Sequence, residues 1–451
     1  MCGIAGIVAR EPVAPLLYLA GWSLQHRGQE SAGMATFDGE NHFAKRDMGT
    51  VEAVFGGNAL EELKGEAGIA HTRYSTMGSS SLENVQPVKG EFRGDPFWIA
   101  HNGNLTKFEG LALEAKTAGY QFTSGTDTEI IAALIHFSKE RTFEGALKAT
   151  LQRITGTYAL AILYKNTVFG VRDPTGNRPL IIGQGKDMML VASETATCDV
   201  LGVQFLREVE PGETIVLDHS AKNWYRVDHR PHQRLPCLFE FVYFQRPDSK
   251  LEGRRAQSVR VKTGRCLWQD HPAKADIVVP VPDSGTSVAL GVAEESKLPF
   301  VMTFFRSHFV GRTFLKPLQA ERTKGLNIKL NAIPELVLGR RIVLVDDSIV
   351  RANVMKGVIA KLRCAGAREI HVRIGSPPYM WPCHYGIDTS RIEGELVAAR
   401  NGGNVESIRR EIGADSLEYL GLKRLKQAIA GRSGLKFCDA CFSGNYHIPI
   451  K

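Results

Sequence analysis

The sequence predicts a two-part α/β and α+β protein: stacked, largely antiparallel sheets flanked by helices in the first half, then a parallel α/β sheet. Three observations carry this. Before about residue 230, short β-type runs separated by Gly, Asn and Asp turns alternate sparsely with helical stretches. After about residue 260 the grammar becomes strand–loop–helix, opened by the continuous apolar run 276–282 (DIVVPVP), which suits a strand buried on both faces. The 451 residues, 43% hydrophobic and 23% charged, supply core enough for two large domains.

In chain order, the first half predicts strands at 3–8, 97–100, 158–163, 167–171, 190–192 and 213–217, with helices at 129–137 and 142–154. Residues 230–236 form the expected boundary, dividing the chain into domains 1–232 and 233–451. In the second half the strand at 276–282 meets the polar loop Asp283-Ser284-Gly285-Thr286-Ser287 and a helix at 288–295. The unit repeats as a strand at 341–345, the turn Asp346-Asp347-Ser348, and a helix that aligns Val354, Val358, Ile359 and Leu362 and stops near Gly366. A third strand follows at 369–374, and residues 416–430 read as helical before the tail. These are βαβ units of a parallel sheet.

Composition narrows the functional classes. The net charge of +8, from 56 Lys plus Arg and 48 Asp plus Glu, is spread without a dense basic tract. That spread suits a small anionic substrate as well as nucleic acid, and a solvated, mildly basic surface better than either; neither nucleic acid nor membrane is the expected partner. No run reaches the roughly 18 apolar residues of a membrane span. Arg10-Glu11 interrupts the apolar opening, and no basic leader precedes it, so a secretory signal is not expected. Eight cysteines are too few for a disulfide scaffold of this size and point to a reducing compartment, the cytoplasm.

The chain opens Met1-Cys2-Gly3. With Met1 removed, Cys2 carries a thiol and a free α-amine, whose reference pKa of about 7.7–8.0 lets it take the thiol proton without a histidine. Met-Cys alone better describes a buried cysteine. Further polar segments change the weight: Gln25-His26-Arg27-Gly28-Gln29-Glu30, His71-Thr72-Arg73-Tyr74-Ser75-Thr76, His101-Asn102-Gly103-Asn104-Leu105, and Ser124-Gly125-Thr126-Asp127-Thr128-Glu129, the last also readable as a capping box. Together with Cys2 they resemble the glutaminase domain of N-terminal-nucleophile amidotransferases over most of the first half. The resemblance implies a four-layer αββα N-terminal-nucleophile (Ntn) hydrolase sandwich in which Cys2 attacks the glutamine side-chain amide. It implies that Arg73 pairs with the substrate carboxylate, Asp127 with its ammonium, and that Asn102 and the Gly103 N–H form the oxyanion hole. Arg27 is implied to brace the site, with a substrate contact as a second role.

Two adjacent acids after a buried strand sit where open α/β sheets bind ligands, and the helix behind them suits a phosphate. The segment 341–351 (RIVLVDDSIVR) is similar to the phosphoribosyl pyrophosphate (PRPP) signature of type I phosphoribosyltransferases. The similarity implies that Asp346 and Asp347 hold ribose hydroxyls, that Ser348 and Arg351 help cradle the 5′-phosphate, and that the loop with Asp283 takes the pyrophosphate. Mg²⁺ is implied to lie against Ser284, Asp346 and Asp347. The segment 306–330, with Arg306, Arg312, Lys316, Arg322, Lys324 and Lys329, looks like a loop that closes over PRPP. Ammonia is then implied to pass through an internal channel formed on closure. Three departures fall on this side: Ala352-Asn353-Val354 where the family has Gly-Thr-Thr, Asn327 in place of an arginine, and Ser307-His308 in place of Asn-Arg.

The pair Cys438-Asp439-Ala440-Cys441 alone reads as zinc, redox or neither. With Arg246-Pro247-Asp248-Ser249 and Ser376-Pro377-Pro378, nearly the whole chain resembles the amidophosphoribosyltransferase family, and Cys237 and Cys383 match its cluster-bearing branch. That resemblance implies a [4Fe–4S] cluster on Cys237, Cys383, Cys438 and Cys441. It also implies PRPP and glutamine as substrates, purine nucleotides as feedback inhibitors and a homo-oligomer, dimeric or tetrameric. Cys198, Cys266 and Cys364 read as core residues. The rival reading is a non-catalytic PRPP or nucleotide sensor weakened at Ala352-Asn353-Val354.

Overall fold

Two antiparallel sheets form the first half. The strands run β1 (Gly3–Ala9), β2 (Ser31–Phe37), β3 (His42–Met48), β4 (Ala67–Arg73), β5 (Val88–Phe92), β6 (Asp95–Thr106), β7 (Thr155–Tyr164), β8 (Thr167–Arg172), β9 (Ile181–Gln184), β10 (Met188–Ala192), β11 (Gln204–Glu208), β12 (Glu213–Leu217) and β13 (Trp224–Asp228). Their orders are β11-β9-β10-β1-β4-β2-β3 and β13-β12-β8-β7-β6-β5. The computed structural model describes residues 1–74, 78–218, 224–228, 233–306, 330–431 and 433–450.

Period-two alternation sets the layers. On β1, Ile4 and Val8 face the second sheet and pack with Ala100, Ala161 and Val168, while Ala5, Ile7 and Ala9 face Leu17 and Ala20 of helix Ala14–Ser23 and Val13 just before it. On β7, Ala159 and Ala161 point between the sheets. Tyr158, Leu160 and Ile162 point out to Ile131, Leu134 and Leu151 of helices Thr128–His136 and Phe143–Arg153. The result is helix, sheet, sheet, helix: the αββα sandwich. Thr142 caps the second of these helices by accepting from the Gly145 N–H at 3.1 Å.

After the short ribbon β14 (Lys250–Leu251) and β15 (Arg254–Arg255), the second half builds a parallel sheet. Its strands are β16 (Ile277–Pro280), β19 (Arg341–Asp346), β20 (Glu369–Ile374) and β21 (Ser416–Tyr419), in that order, beside the two-stranded pair β17 (Phe304–Arg306) and β18 (Leu330–Ala332). One face packs Val278, Val343 and Val345 on Val288 and Val292 of helix Thr286–Ser296. The other packs Val279, Ile342 and Leu344 on Val358, Ile359 and Leu362 of helix Asn353–Cys364. Burial on both faces explains why these strands read as unbroken apolar runs.

One expectation is corrected here. Residues 416–430 are not one helix: Ser416–Tyr419 is the edge strand β21, parallel to β20, and only Leu422–Ala430 is helical. Leu417 and Tyr419 are buried while Ser416 and Glu418 are only partly so, a strand alternation that the following helix masked in the sequence. The expected closing segment lies outside the described residues from 307 to 329, as do Ser75, Thr76 and residues 230–232 of the expected boundary. No helix among the described residues is long and apolar enough to cross a membrane.

Candidate active site

β1 delivers Cys2 to the edge of the sandwich, and the central strand β6 delivers Asn102 opposite it. The Cys2 N–H donates to Asn102 Oδ1 at 3.1 Å. The Asn102 side chain is fully buried, and its Nδ2 has no hydrogen-bond partner among the described residues. A buried donor left unmet costs about 1–3 kcal/mol, so it marks a place where an acceptor is to arrive. Gly103 follows with φ +155°, and a Cβ there would lie 2.0 Å from the Thr157 carbonyl oxygen; no other residue fits. The Cys2 thiol reaches the Tyr74 carbonyl at 3.5 Å.

Arg73 ends β4 and is buried, with Nη1 on the Ser79 carbonyl at 3.1 Å. Burial lowers its pKa, while the nearby Cys2, Glu30 and Asp127 favour its charge. Asp127 heads helix Thr128–His136; its Oδ2 accepts the Leu105 N–H at 2.7 Å and its Oδ1 stands 3.7 Å from His101 Nδ1. The supposed capping box runs in reverse: Glu129 reaches back to the N–H and hydroxyl groups of Thr123 and Ser124 at 2.6–2.9 Å. Gly28 is packed so closely on the Arg73 carbonyl that a Cβ would meet it at 2.6 Å, which fixes the 25–30 turn against the site.

Arg27 stands in the bracing position. Its guanidinium is fully buried: Nε donates to the Cys2 carbonyl at 3.0 Å, Nη1 to Glu194 at 2.5 Å and Nη2 to Glu240 at 2.6 Å. Those bonds tie it to the Cys2 backbone and to two buried carboxylates. Burial opposes its charge, but Glu240 and Glu194 outweigh that and raise its pKa. Burial alone would raise Glu194; His26 and Arg27 instead hold its carboxyl well below the usual range. Ser249 Oγ also donates to Glu194 at 2.7 Å and the Arg246 N–H at 3.0 Å, so the 246–249 motif clasps the two halves together. Sequence reasoning missed Glu194, Glu240, Arg178 and Arg260, because none sits in a spaced motif.

At the tip of the parallel sheet, Ser284 Oγ donates to Asp346 Oδ1 at 3.1 Å, and the Ser348 N–H donates to Asp347 Oδ1 at 2.7 Å. Asp347 Oδ2 is buried without a hydrogen-bond partner among the described residues. Burial first, then the charge of Asp347, pushes Asp346 far above the carboxylate range; burial pushes Asp347 up too, with its bond to Asp346 and the charge of Arg260 holding it back. Two buried acids with an orphan oxygen fit a divalent cation. Asp283 lies in the loop before them, and Arg351 is held to Glu395 at 3.4 Å. Ala352 caps the following helix at φ +66°, the left-handed region that costs a non-glycine residue roughly 1–2 kcal/mol. Holding that shape despite the alanine preserves the turn whose hydroxyls the sequence lacks.

Cys237, Cys383, Cys438 and Cys441 come together between the tail and the sheet, all buried and none in a disulfide. Cys237 and Cys438 lie in a parallel bridge, and the Tyr385 N–H donates to Cys383 Sγ at 3.3 Å. Burial raises the Cys441 thiol most, with the charges of Cys237, Cys383 and Cys438 adding to it. Among the described residues no three His, Cys, Asp or Glu side chains gather closely enough for one metal ion. Four buried thiols are a donor set that either a single zinc or a multi-iron group takes.

Residues 71–199 match the family model for a glutamine amidotransferase domain. The amidophosphoribosyltransferase of Methanothermobacter thermautotrophicus is 42% identical over 455 aligned residues, spanning all of this chain and 95% of that protein. That of Bacillus subtilis is 40% identical, spanning all of this chain and 94% of the relative. The solved structure of glutamine PRPP amidotransferase from B. subtilis complexed with ADP and GMP is similar at a TM-score of 0.92, with 40% identity, all of this chain and 98% of the other covered. A solved structure described as the allosteric regulatory enzyme of purine biosynthesis is similar at a TM-score of 0.93, with 40% identity and coverage of 100% and 97%. With full-length identity at this level, the chain belongs to the amidophosphoribosyltransferase family.

Proposed function

We propose that the chain forms 5-phosphoribosylamine, glutamate and pyrophosphate from PRPP, glutamine and water, the amidotransferase step of purine biosynthesis. The observation that carries the glutamine half is the Asn102 amide, with its oxygen on Cys2 and its nitrogen buried and unpaired. Once Met1 is removed, the Cys2 α-amine accepts the thiol proton and the sulfur attacks the glutamine amide carbon. Asn102 Nδ2 and the Gly103 N–H receive the oxyanion, Arg73 the carboxylate and Asp127 the ammonium. Collapse expels ammonia, which takes the proton back, and water cleaves the thioester to glutamate. Ammonia then displaces pyrophosphate at the ribose C1. There Asp346 and Asp347 orient the ribose hydroxyls, Ser348 and Arg351 the 5′-phosphate, and the Asp283 loop the pyrophosphate. Mg²⁺, held by Ser284, Asp346 and Asp347, would neutralise charge on the leaving pyrophosphate. Purified protein should release glutamate from glutamine faster when PRPP and Mg²⁺ are added, with pyrophosphate appearing alongside; release indifferent to PRPP would favour a sensor or a lone glutaminase.

The division into domains 1–232 and 233–451 is supported by the sheets, which draw their strands from opposite sides of that point. The cysteine nest supports a structural [4Fe–4S] cluster on Cys237, Cys383, Cys438 and Cys441. Anaerobically purified protein should be brown and contain about four irons per chain; colourless protein with one zinc would overturn the cluster. Purine nucleotides as inhibitors are supported by the relative that holds ADP and GMP. A homo-oligomer, in the cytoplasm, agrees with the family and with the free cysteines.

A further inference from the structure

The brace on Cys2 does not belong to the glutaminase half alone. Glu240, which holds Arg27 through both carboxylate oxygens at 2.6 and 3.1 Å, comes from the segment that follows Cys237. It opens the short helical segment Glu240–Phe244, and it is fully buried with Arg27 and Glu194. That segment is fixed in turn by Arg260 of helix Ala256–Asp270, whose Nε donates to the Phe241 carbonyl at 2.9 Å and Nη2 to the Gln245 carbonyl at 2.8 Å. Arg260, Phe241 and Asp347 line one small internal cavity, and Asp347 is the carboxylate whose charge Arg260 feels most. Hydrogen bonds through Arg27, Glu240, the backbone of 241–245 and Arg260 thus lead from the Cys2 carbonyl to a cavity shared with an acid of the sugar-phosphate site.

We propose that Glu240 is a positioning residue for the glutamine half-reaction, setting the Cys2 backbone through Arg27 and tying it, through the 240–245 segment and Arg260, to the occupancy of the Asp346–Asp347 site. The geometry suits the task. A two-oxygen grip on a guanidinium fixes orientation as well as distance. The third donor of that guanidinium lands on the carbonyl of the nucleophile itself, where a misplacement of about 1 Å can cost on the order of a hundredfold in rate. Arg260 and Asp347 line the same small cavity, and Arg260 has no slack, being buried with two of its nitrogens committed to the segment that starts at Glu240, so a ligand seated at Asp347 bears on that segment through packing. The inference rests on the reading of Cys2 and Asp347 given above.

Its test compares full-length wild type, Glu240→Gln and Arg260→Lys in three assays: glutamine hydrolysis alone, glutamine hydrolysis with PRPP and Mg²⁺, and pyrophosphate release driven by added ammonia. Glu240→Gln should lower glutamine-dependent kcat about ten- to a hundredfold while the ammonia-driven rate stays within about twofold. Arg260→Lys keeps the charge but loses the two-pronged hold, and should lose most of the PRPP stimulation together with part of the glutamine hydrolysis. Wild-type glutamine turnover in Glu240→Gln, or an equal fall in the glutamine and ammonia reactions, would overturn the proposal; the second result marks a purely structural clasp. If Glu240→Gln does not fold, Glu240→Asp keeps the charge and shortens the reach, and is judged by the same split. Wild-type protein that hydrolyses no glutamine at all would instead sink the underlying reading.

Discussion

Replacing Cys2 with alanine should remove glutamine-dependent product formation by at least about a thousandfold, the scale of losing a covalent nucleophile, while the reaction with added ammonia continues. The two outcomes separate because the residues are separate: Cys2 directly precedes β1 and Asn102 lies on β6 of the sandwich, and Asp346 and Asp347 stand at the end of β19. Nothing in the contacts of Asp346 depends on the Cys2 thiol. Measuring pyrophosphate release with glutamine and then with ammonia as nitrogen donor decides it. Loss of both activities in a folded variant would contradict two sites working in series. Proton inventory sharpens the point. The base proposed for the thiol is an amine that exists only after Met1 is removed, so material retaining Met1 should resemble Cys2→Ala in this assay. Mass spectrometry of the chain's first peptide distinguishes the two forms.

The polar motifs were legible because chemistry clusters its residues in short turns. Asn102-Gly103, Arg73 and the Asp346-Asp347 pair all stand out as unusual neighbours of apolar strands. The second-half strands were legible because burial on both faces removes polar residues from them; 369–374 was placed to the residue. What stayed hidden is explained by packing. β2 (SAGMATF) and β4 (AGIAHTR) are rich in Gly and Ala and hold few of the branched residues that announce a strand, since their backbones press against neighbours. A Cβ at Gly33 would sit 2.1 Å from the Gln86 carbonyl, and one at Gly68 would sit 2.8 Å from both the Ala35 carbonyl and Leu17. Helix Ala14–Ser23 (APLLYLAGWS) is apolar nearly all round and so shows no helical period. The Arg27 brace was out of reach for another reason: its carboxylates come from positions 167 and 213 residues away, and no local spacing encodes such a meeting. Arg27 itself was visible, but only the structure shows which groups it holds.

The second large effect runs in opposite directions for stability and activity. Asp346→Asn should raise the melting temperature of the ligand-free protein yet abolish the PRPP-dependent reaction. Asp346 and Asp347 are neighbours, both buried, and burial together with mutual repulsion pushes the Asp346 carboxyl far up. A carboxyl whose folded pKa lies above its unfolded value weakens the fold as pH rises through that range, so at neutral pH the pair is a net cost to the empty protein. The substituted amide keeps an oxygen to accept from Ser284 Oγ and the Asp347 N–H, now at 3.1 and 2.9 Å, and gains a donor that can face Asp347. The expected gain is about 1–3 kcal/mol, several degrees at most in a chain of this size. The same change removes one of the two carboxylates proposed to hold a divalent cation against the sugar-phosphate, so on that proposal PRPP with Mg²⁺ should no longer shift the melting temperature, and the ammonia-driven rate should fall by a hundredfold or more, roughly the loss of one electrostatic contact in a dry site. Glutamine hydrolysis without PRPP should persist at the basal rate. The measurement is a pair of thermal scans, with and without PRPP and Mg²⁺, beside the two rates. A variant that melts lower than wild type when empty, yet still responds to PRPP, would mean that the two acids hold the fold together and the ligand is gripped elsewhere. The expected opposite pattern would identify the repulsion at this strand tip as strain kept for the cation that relieves it.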